Sequence, residues 1–156
     1  MTCIVGLVED GKVYIAGDSA GIAGWSLTLR KDAKVFRNGA FLIGGTGSFR
    51  MLQLLRYAFA PPAFPVWSGE NTLEKYMATT FVNALRDCFK AGGFAQKTSE
   101  QESGGHFLVG VRGRLFLIDA DYQVGESLAG YDACGCGSDV ALGALFATPN
   151  IQARKR

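Results

Sequence analysis

Two short turn signals, Asp10-Gly11 and Asn38-Gly39, each lie between two apolar, β-prone runs, and they restrict the fold more than any other feature of the chain. Thr2 to Val8 and Lys12 to Ala16 flank the turn Glu9-Asp10-Gly11. Lys34-Val35-Phe36 and Ala40 to Ile43 flank Arg37-Asn38-Gly39. Asx-Gly between such runs is a strong short-range hairpin signal, because these residues accept the positive φ angles that a tight hairpin turn demands. A chain that opens with two hairpins is antiparallel at its start, which argues against a parallel βαβ architecture.

The rest of the chain alternates helix and strand. Gly44-Gly45-Thr46-Gly47 reads as a break after the fourth strand, and Met51, Leu52, Leu54, Leu55, Ala58 and Phe59 follow at helical spacing until Pro61-Pro62. Asn71 and Glu74 form a capping-box pattern ahead of a second helix whose apolar face runs from Leu73 to Phe89 and ends at Gly92-Gly93. Gln96 to Gly105 is polar and reads as a loop; Phe107–Val111 and Leu115–Ile118 pair around Arg112-Gly113-Arg114. A last helix starts near Ser138 or Asp139 and stops by Pro149. With 48% hydrophobic residues in 156, no repeat and no linker, residues 1–156 are expected to form one domain of two sheets with helices packed outside them. The 21 glycines against 4 prolines fit tight turns rather than a flexible linker.

Charge and composition exclude several function classes. A net charge of +2, with one dense basic cluster at Arg154-Lys155-Arg156, does not indicate a nucleic-acid surface. No apolar run approaches the roughly 18 residues of a membrane helix, and the N-terminus lacks the basic region of a secretory signal, so a soluble cytoplasmic protein without membrane partners is expected. Cys3, Cys88, Cys134 and Cys136 contain no C-x-x-C pair and are expected to be reduced core thiols. His106 has no metal-ligand pattern around it; neither a metal nor an organic cofactor is expected. Trp25, Trp67, Tyr57 and Phe64 read as core packing, with contacts between subunits as the alternative.

The chemistry concentrates at the start. If an aminopeptidase removes Met1, Thr2 carries a nucleophilic hydroxyl and a free α-amine, the two halves of an N-terminal threonine catalytic unit. An α-amine with a reference pKa of about 8 is a suitable base near neutral pH. The plain reading of Thr2 is the first β-branched residue of a strand. Asp18 and Lys34 follow at equal steps of sixteen residues, and antiparallel neighbours would bring all three to one edge of a sheet. There an ammonium favours proton loss from the hydroxyl, and a carboxylate orients the ammonium. A turn residue for Asp18 and a solvated strand end for Lys34 are the ordinary alternatives.

Thr2-Cys3-Ile4-Val5-Gly6, Val13 to Ser19, Lys34-Val35-Phe36, Gly44 to Gly47 and Ala133 to Asp139 together resemble the proteasome β-type peptidases and the related bacterial ATP-dependent peptidase rings, members of the N-terminal-nucleophile hydrolases. The resemblance implies an α+β fold, an αββα sandwich of two mainly antiparallel sheets flanked by helices. It implies a threonine endopeptidase acting on unfolded polypeptide, assembled as a homo-oligomeric ring and open to an ATP-driven unfoldase. By position, Thr2 would be the nucleophile, Lys34 would lower its hydroxyl pKa, Asp18 would orient Lys34, and the Gly47 N–H would stabilise the oxyanion. Gly21 and Ile22 would hold substrate as an added strand, and Gly45 would sit at the base of a roomy primary specificity pocket.

Departures from the pattern matter too. Ala20 replaces a basic residue, Phe49 and Arg50 replace a small residue and a downstream Asp, and Cys136 stands where the family has a serine near the nucleophile. The family also continues past the helix begun near Asp139, with strands that supply an Asp and a Ser, so a C-terminally truncated domain is expected. Two other readings stay open: an inactive shell subunit of the same fold, and a nucleotide-binding domain that uses Gly44-Gly45-Thr46-Gly47 as a phosphate cradle.

Overall fold

The computed structural model describes residues 2–23, 26–67, 69, 72–98, 101–153 and 155. Met1, Trp25, the capping position Asn71, and Arg154 and Arg156 of the basic cluster lie outside them. Six strands come first: β1 (Ile4–Glu9), β2 (Lys12–Gly17), β3 (Ala20–Ala23), β4 (Ser26–Leu29), β5 (Val35–Asn38) and β6 (Phe41–Thr46). Helix α1 (Phe49–Gln53) runs on into a π-helical turn, Leu54–Ala58. α2 (Leu73–Tyr76) and α3 (Val82–Ala91) are joined by a second π-helical turn, Met77–Phe81. Then follow β7 (Gln96–Thr98), β8 (Gln101–Ser103), β9 (His106–Val111), β10 (Arg114–Ile118), β11 (Val124–Gly125), β12 (Tyr131–Cys134) and α4 (Ser138–Ala147).

The layers follow from side-chain alternation. β12-β1-β2 form a three-stranded sheet and β11-β10-β9-β6-β5 a five-stranded one, all pairs antiparallel. Phe107, Val109 and Val111 of β9, with Phe116 and Ile118 of β10, face α1–α3 in one core. The intervening Leu108 and Leu115 turn the other way, where they meet Ile4, Val13, Ile15 and Cys134 of the smaller sheet. α4 packs on the outside of β12 and β1. The order is helix, sheet, sheet, helix: the αββα sandwich.

Between the sheets, glycines act as sockets. A methyl on Gly44 would lie 2.7 Å from Ile15 Cγ2 and 2.8 Å from Ile4 Cγ2, and one on Gly110 would lie 2.6 Å from Val13 Cγ1. Branched side chains of the small sheet thus insert against bare backbone of the large one. On the helix side Phe81 sits within 5.0 Å of the Phe41 ring and 5.2 Å of the Phe59 ring, measured between centroids. Phe64, Trp67 and Tyr76 extend the cluster, while Tyr57 stays exposed.

Several expectations are corrected. Gly44 and Gly45 do not break the strand: they are inside β6, opposite Val35 of β5 and Phe107 of β9. Asn38 ends β5 rather than forming the turn corner, because its amide donates to the carbonyls of Leu55 and Phe59, both at 2.8 Å, and caps the first helix. Thr72 caps the second helix, accepting from the Lys75 N–H at 3.2 Å. The β3–β4 and β7–β8 hairpins are additional to the expected strands: β4 alternates Ser26-Leu27-Thr28-Leu29 but exposes all four residues, and β7 and β8 are polar in sequence. Cys134 is buried, but Cys136 is exposed and not a core thiol.

Truncating Phe81 to alanine empties the centre of the aromatic cluster. Urea unfolding should show about 3–5 kcal/mol lost from stability, with the denaturant slope unchanged.

Candidate active site

The site lies where strands of both sheets begin and end. β1 and β2 pair from Glu9↔Lys12 down to Ile4↔Gly17, so the residues just beyond, Thr2-Cys3 and Asp18, emerge side by side. The Asp18 N–H continues the ladder to the Cys3 carbonyl at 3.3 Å. Lys34 precedes β5 of the other sheet, and its carbonyl accepts from the Gly45 N–H at 3.1 Å. The three residues therefore do not share one sheet edge as expected. Thr2 and Asp18 approach Lys34 across the sandwich.

Lys34 Nζ makes three hydrogen bonds: 2.7 Å to Thr2 Oγ1, 2.8 Å to Asp18 Oδ2 and 2.6 Å to the Ala20 carbonyl. Its side chain is 3% exposed, against 34% for Asp18. Asp18 is itself held by the N–H groups of Cys3 at 2.9 Å and Ala20 at 3.0 Å. Partial burial, the largest single influence, acts to raise the Asp18 pKa, but Lys34 and the two amides together outweigh it and hold the carboxyl below its ordinary 3.8. The Ala20 carbonyl is a backbone partner that no side-chain motif announces.

The segment after β6 supplies polarity without side chains. Gly47 has φ +88°, a left-handed conformation that suits glycine, and among the described residues its N–H has no acceptor. Together with Thr2, Lys34, Gly45, Thr46, Ser48, Phe49 and Leu52 it lines a cavity of only about 20 Å³. The roomy pocket expected over Gly45 is absent, because a methyl there would meet Leu52 Cδ2 at 2.7 Å and Met51 Cε at 3.1 Å. With Gly44 and Gly45 inside a paired strand, the segment is not a free phosphate-cradling loop.

Gly21 and Ile22 lie in β3, which pairs with β4 alone among the described strands. The loop Gly135-Cys136-Gly137 wraps Thr2: the Gly137 N–H donates to the Thr2 carbonyl at 3.3 Å, and a methyl on Gly135, at φ +101°, would collide with that same carbonyl. Cys136 thus reaches the neighbourhood expected, with its side chain exposed and no hydrogen bond to Thr2. Burial pushes the nearby Cys134 thiol up to about 12, which leaves it unreactive. His106 Nε2 lies 3.1 Å from Asp119, at the start of β9 opposite Thr46.

No protein-family model and no curated protein sequence matches the chain. Solved structures do. BPH of Thiobacillus denitrificans in complex with epoxomicin aligns at a TM-score of 0.75 and 23% identity, over 97% of this chain and 81% of that chain. The same protein without that compound gives 0.75 and 23%, over 97% and 82%. Eukaryotic HslV from Trypanosoma brucei aligns at 0.61 and 18% identity, over 97% of this chain and 81% of that chain. A mutant of Anbu from Hyphomicrobium sp. strain MC1 aligns at 0.58 and 17%, over 95% and 66%. The likeness shows the fold: the chain has the proteasome-type αββα sandwich.

Replacing Asp18 by asparagine leaves the buried ammonium without its counter-charge. Stability at pH 7 should fall by about 2–3 kcal/mol, less than for a fully buried pair because Asp18 is partly solvated. Because the folded carboxyl titrates below its unfolded value, its contribution is complete above about pH 4 and fades as pH drops through the lower folded value. Urea unfolding of wild type and Asp18→Asn should therefore diverge at pH 7 and converge as the pH falls below the ordinary carboxylate value.

Proposed function

We propose that the chain is a threonine-type endopeptidase subunit in which Thr2, made N-terminal by removal of Met1, attacks the peptide bonds of unfolded polypeptide. The observation that carries this reading is the 2.7 Å contact between Thr2 Oγ1 and the buried, Asp18-paired Lys34 Nζ. A strand-initial threonine with a purely structural role has no need of a buried cation on its hydroxyl, and burying that cation costs stability.

The chemistry then runs in two halves. The Thr2 α-amine takes the hydroxyl proton as Oγ1 adds to the substrate carbonyl, and the Lys34 ammonium favours the developing alkoxide. The oxyanion of the tetrahedral adduct accepts from the Gly47 N–H, a term worth roughly 10²–10³ in rate in a comparable enzyme. Collapse breaks the C–N bond, the departing amine takes the proton from the α-ammonium, and an ester on Thr2 remains. Water, deprotonated by the same amine, then hydrolyses that ester and restores the hydroxyl. Substrate would lie as an added strand on β3 along Gly21 and Ile22, a mode that uses main-chain hydrogen bonds. Cys136, at the mouth of the site, offers a weaker donor than a hydroxyl for ordering the water. Assembly as a homo-oligomeric ring, with an ATP-driven unfoldase as partner, rests on the family resemblance and belongs to the same proposal.

Intact mass of the protein purified from cells should show Met1 absent. Thr2→Ala should lower hydrolysis of a fluorogenic peptide by at least about 10³-fold without loss of folding. Epoxomicin, which the Thiobacillus denitrificans protein carries in its solved complex, should add its mass to the wild type and not to Thr2→Ala. Hydrolysis that survives with Met1 retained would sink the proposal.

A further inference from the structure

Resting on the reading of Thr2 as nucleophile, we infer that Phe49, clamped by Arg30, restricts cleavage to bonds that follow a glycine or alanine. The space next to Thr2, over Gly45 and Gly47, is about 20 Å³. On that measure one water needs about 10–15 Å³, so the space takes a group the size of a methyl and little more. Phe49 and Leu52 form the wall that closes it, and behind the same two residues opens a second cavity of about 300 Å³ that also involves Arg30, Asp32, Arg56 and Tyr57. A space that size holds a leucine or an aromatic ring. The wall, not the lack of volume nearby, sets the limit.

Phe49 is held in that wall from three sides. Its backbone begins α1 directly after Ser48, whose hydroxyl accepts from the Met51 N–H at 3.3 Å. The Arg30 guanidinium stacks on its ring, Cζ 3.9 Å from the centroid. That guanidinium is in turn fixed by two bonds to Asp32, Nε to Oδ1 at 2.8 Å and Nη2 to Oδ2 at 2.6 Å. On the remaining side a methyl added to Gly21 would lie 3.3 Å from the Phe49 ring and 3.0 Å from Arg30 Cδ, so the stack rests on the backbone of β3. The ring therefore sits between the strand that would hold substrate and the lysine beside the nucleophile, 5.9 Å from Lys34 Nζ.

A peptide series that differs only in the residue preceding the scissile bond, glycine, alanine, leucine or phenylalanine, tests this through kcat/KM. Wild type should favour glycine and alanine over leucine and phenylalanine by at least about 10-fold, the scale on which a pocket rejects added methylenes. Phe49→Ala joins the two cavities and should reverse the order, changing the ratio by roughly 10–100-fold. Phe49→Leu, a milder change to the wall, should fall between them, and Arg30→Met should loosen preference without abolishing turnover. Wild-type cleavage after leucine or phenylalanine as fast as after alanine, in a reaction that Thr2→Ala abolishes, overturns the inference and leaves the nucleophile in place. An unchanged preference in a folded Phe49→Ala likewise overturns it. Absence of any Thr2-dependent hydrolysis across the series overturns both.

Discussion

A buried ammonium organises this molecule. Lys34 Nζ is buried and is satisfied by the Thr2 hydroxyl and, from one short segment after β2, by the Asp18 carboxylate and the Ala20 carbonyl. Removing a cation from water is costly unless its partners are complete, so each of the three must be in place. Thr2 and Asp18 belong to the margin of the small sheet, Ala20 to the start of β3, and Lys34 itself to the large sheet. The pair of sheets and the β3–β4 hairpin are thereby tied together at one point. The carboxylate also finishes the β1–β2 ladder through the Cys3 and Ala20 amides, so charge pairing and strand pairing are parts of one network.

The polarity of the sandwich follows from its connections. Tight hairpins at Asp10-Gly11 and Arg112-Gly113, where both corner residues take positive φ, close one end with few residues to spare. The opposite end carries the chain start, the Gly135-Cys136-Gly137 loop, Asp18, Lys34 and the Gly47 turn. A closed end of short turns and an end of converging loops is the usual division between scaffold and site. Among the described residues the Gly47 N–H at this end has no acceptor.

The two hairpin turns, the apolar face of the second helix and the Thr2, Asp18, Lys34 trio were legible in the residues because each rests on a local rule: turn φ, helical period, or a charged group at a strand end. What was not legible has physical reasons. Ser26 to Leu29 of β4 alternate but are all exposed, and β7 and β8 are polar in sequence, so none of these strands marks itself as a core strand. Glu102 in β8 is held by Arg86 and Lys90 of α3, a long-range arrangement without a sequence spacing of its own. Asn38 satisfies two carbonyls of a helix that has yet to form when the turn is read, so tertiary capping displaced the expected Asn-Gly corner by one residue. The pocket over Gly45 was misjudged because the residues that fill it, Leu52 and Met51, arrive from the next turn of chain.

The glycine sockets between the sheets carry one more implication. With Ile4 and Ile15 seated over Gly44, and Val13 over Gly110, lateral sliding of one sheet across the other would drive a branched side chain into peptide backbone at both places. Shear is thus the stiff direction of this sandwich. The hydroxyl of Thr2 and the ammonium of Lys34, one carried by each layer, are thereby kept in line. Alignment is guarded by the middle of the protein, some way from the atoms that use it.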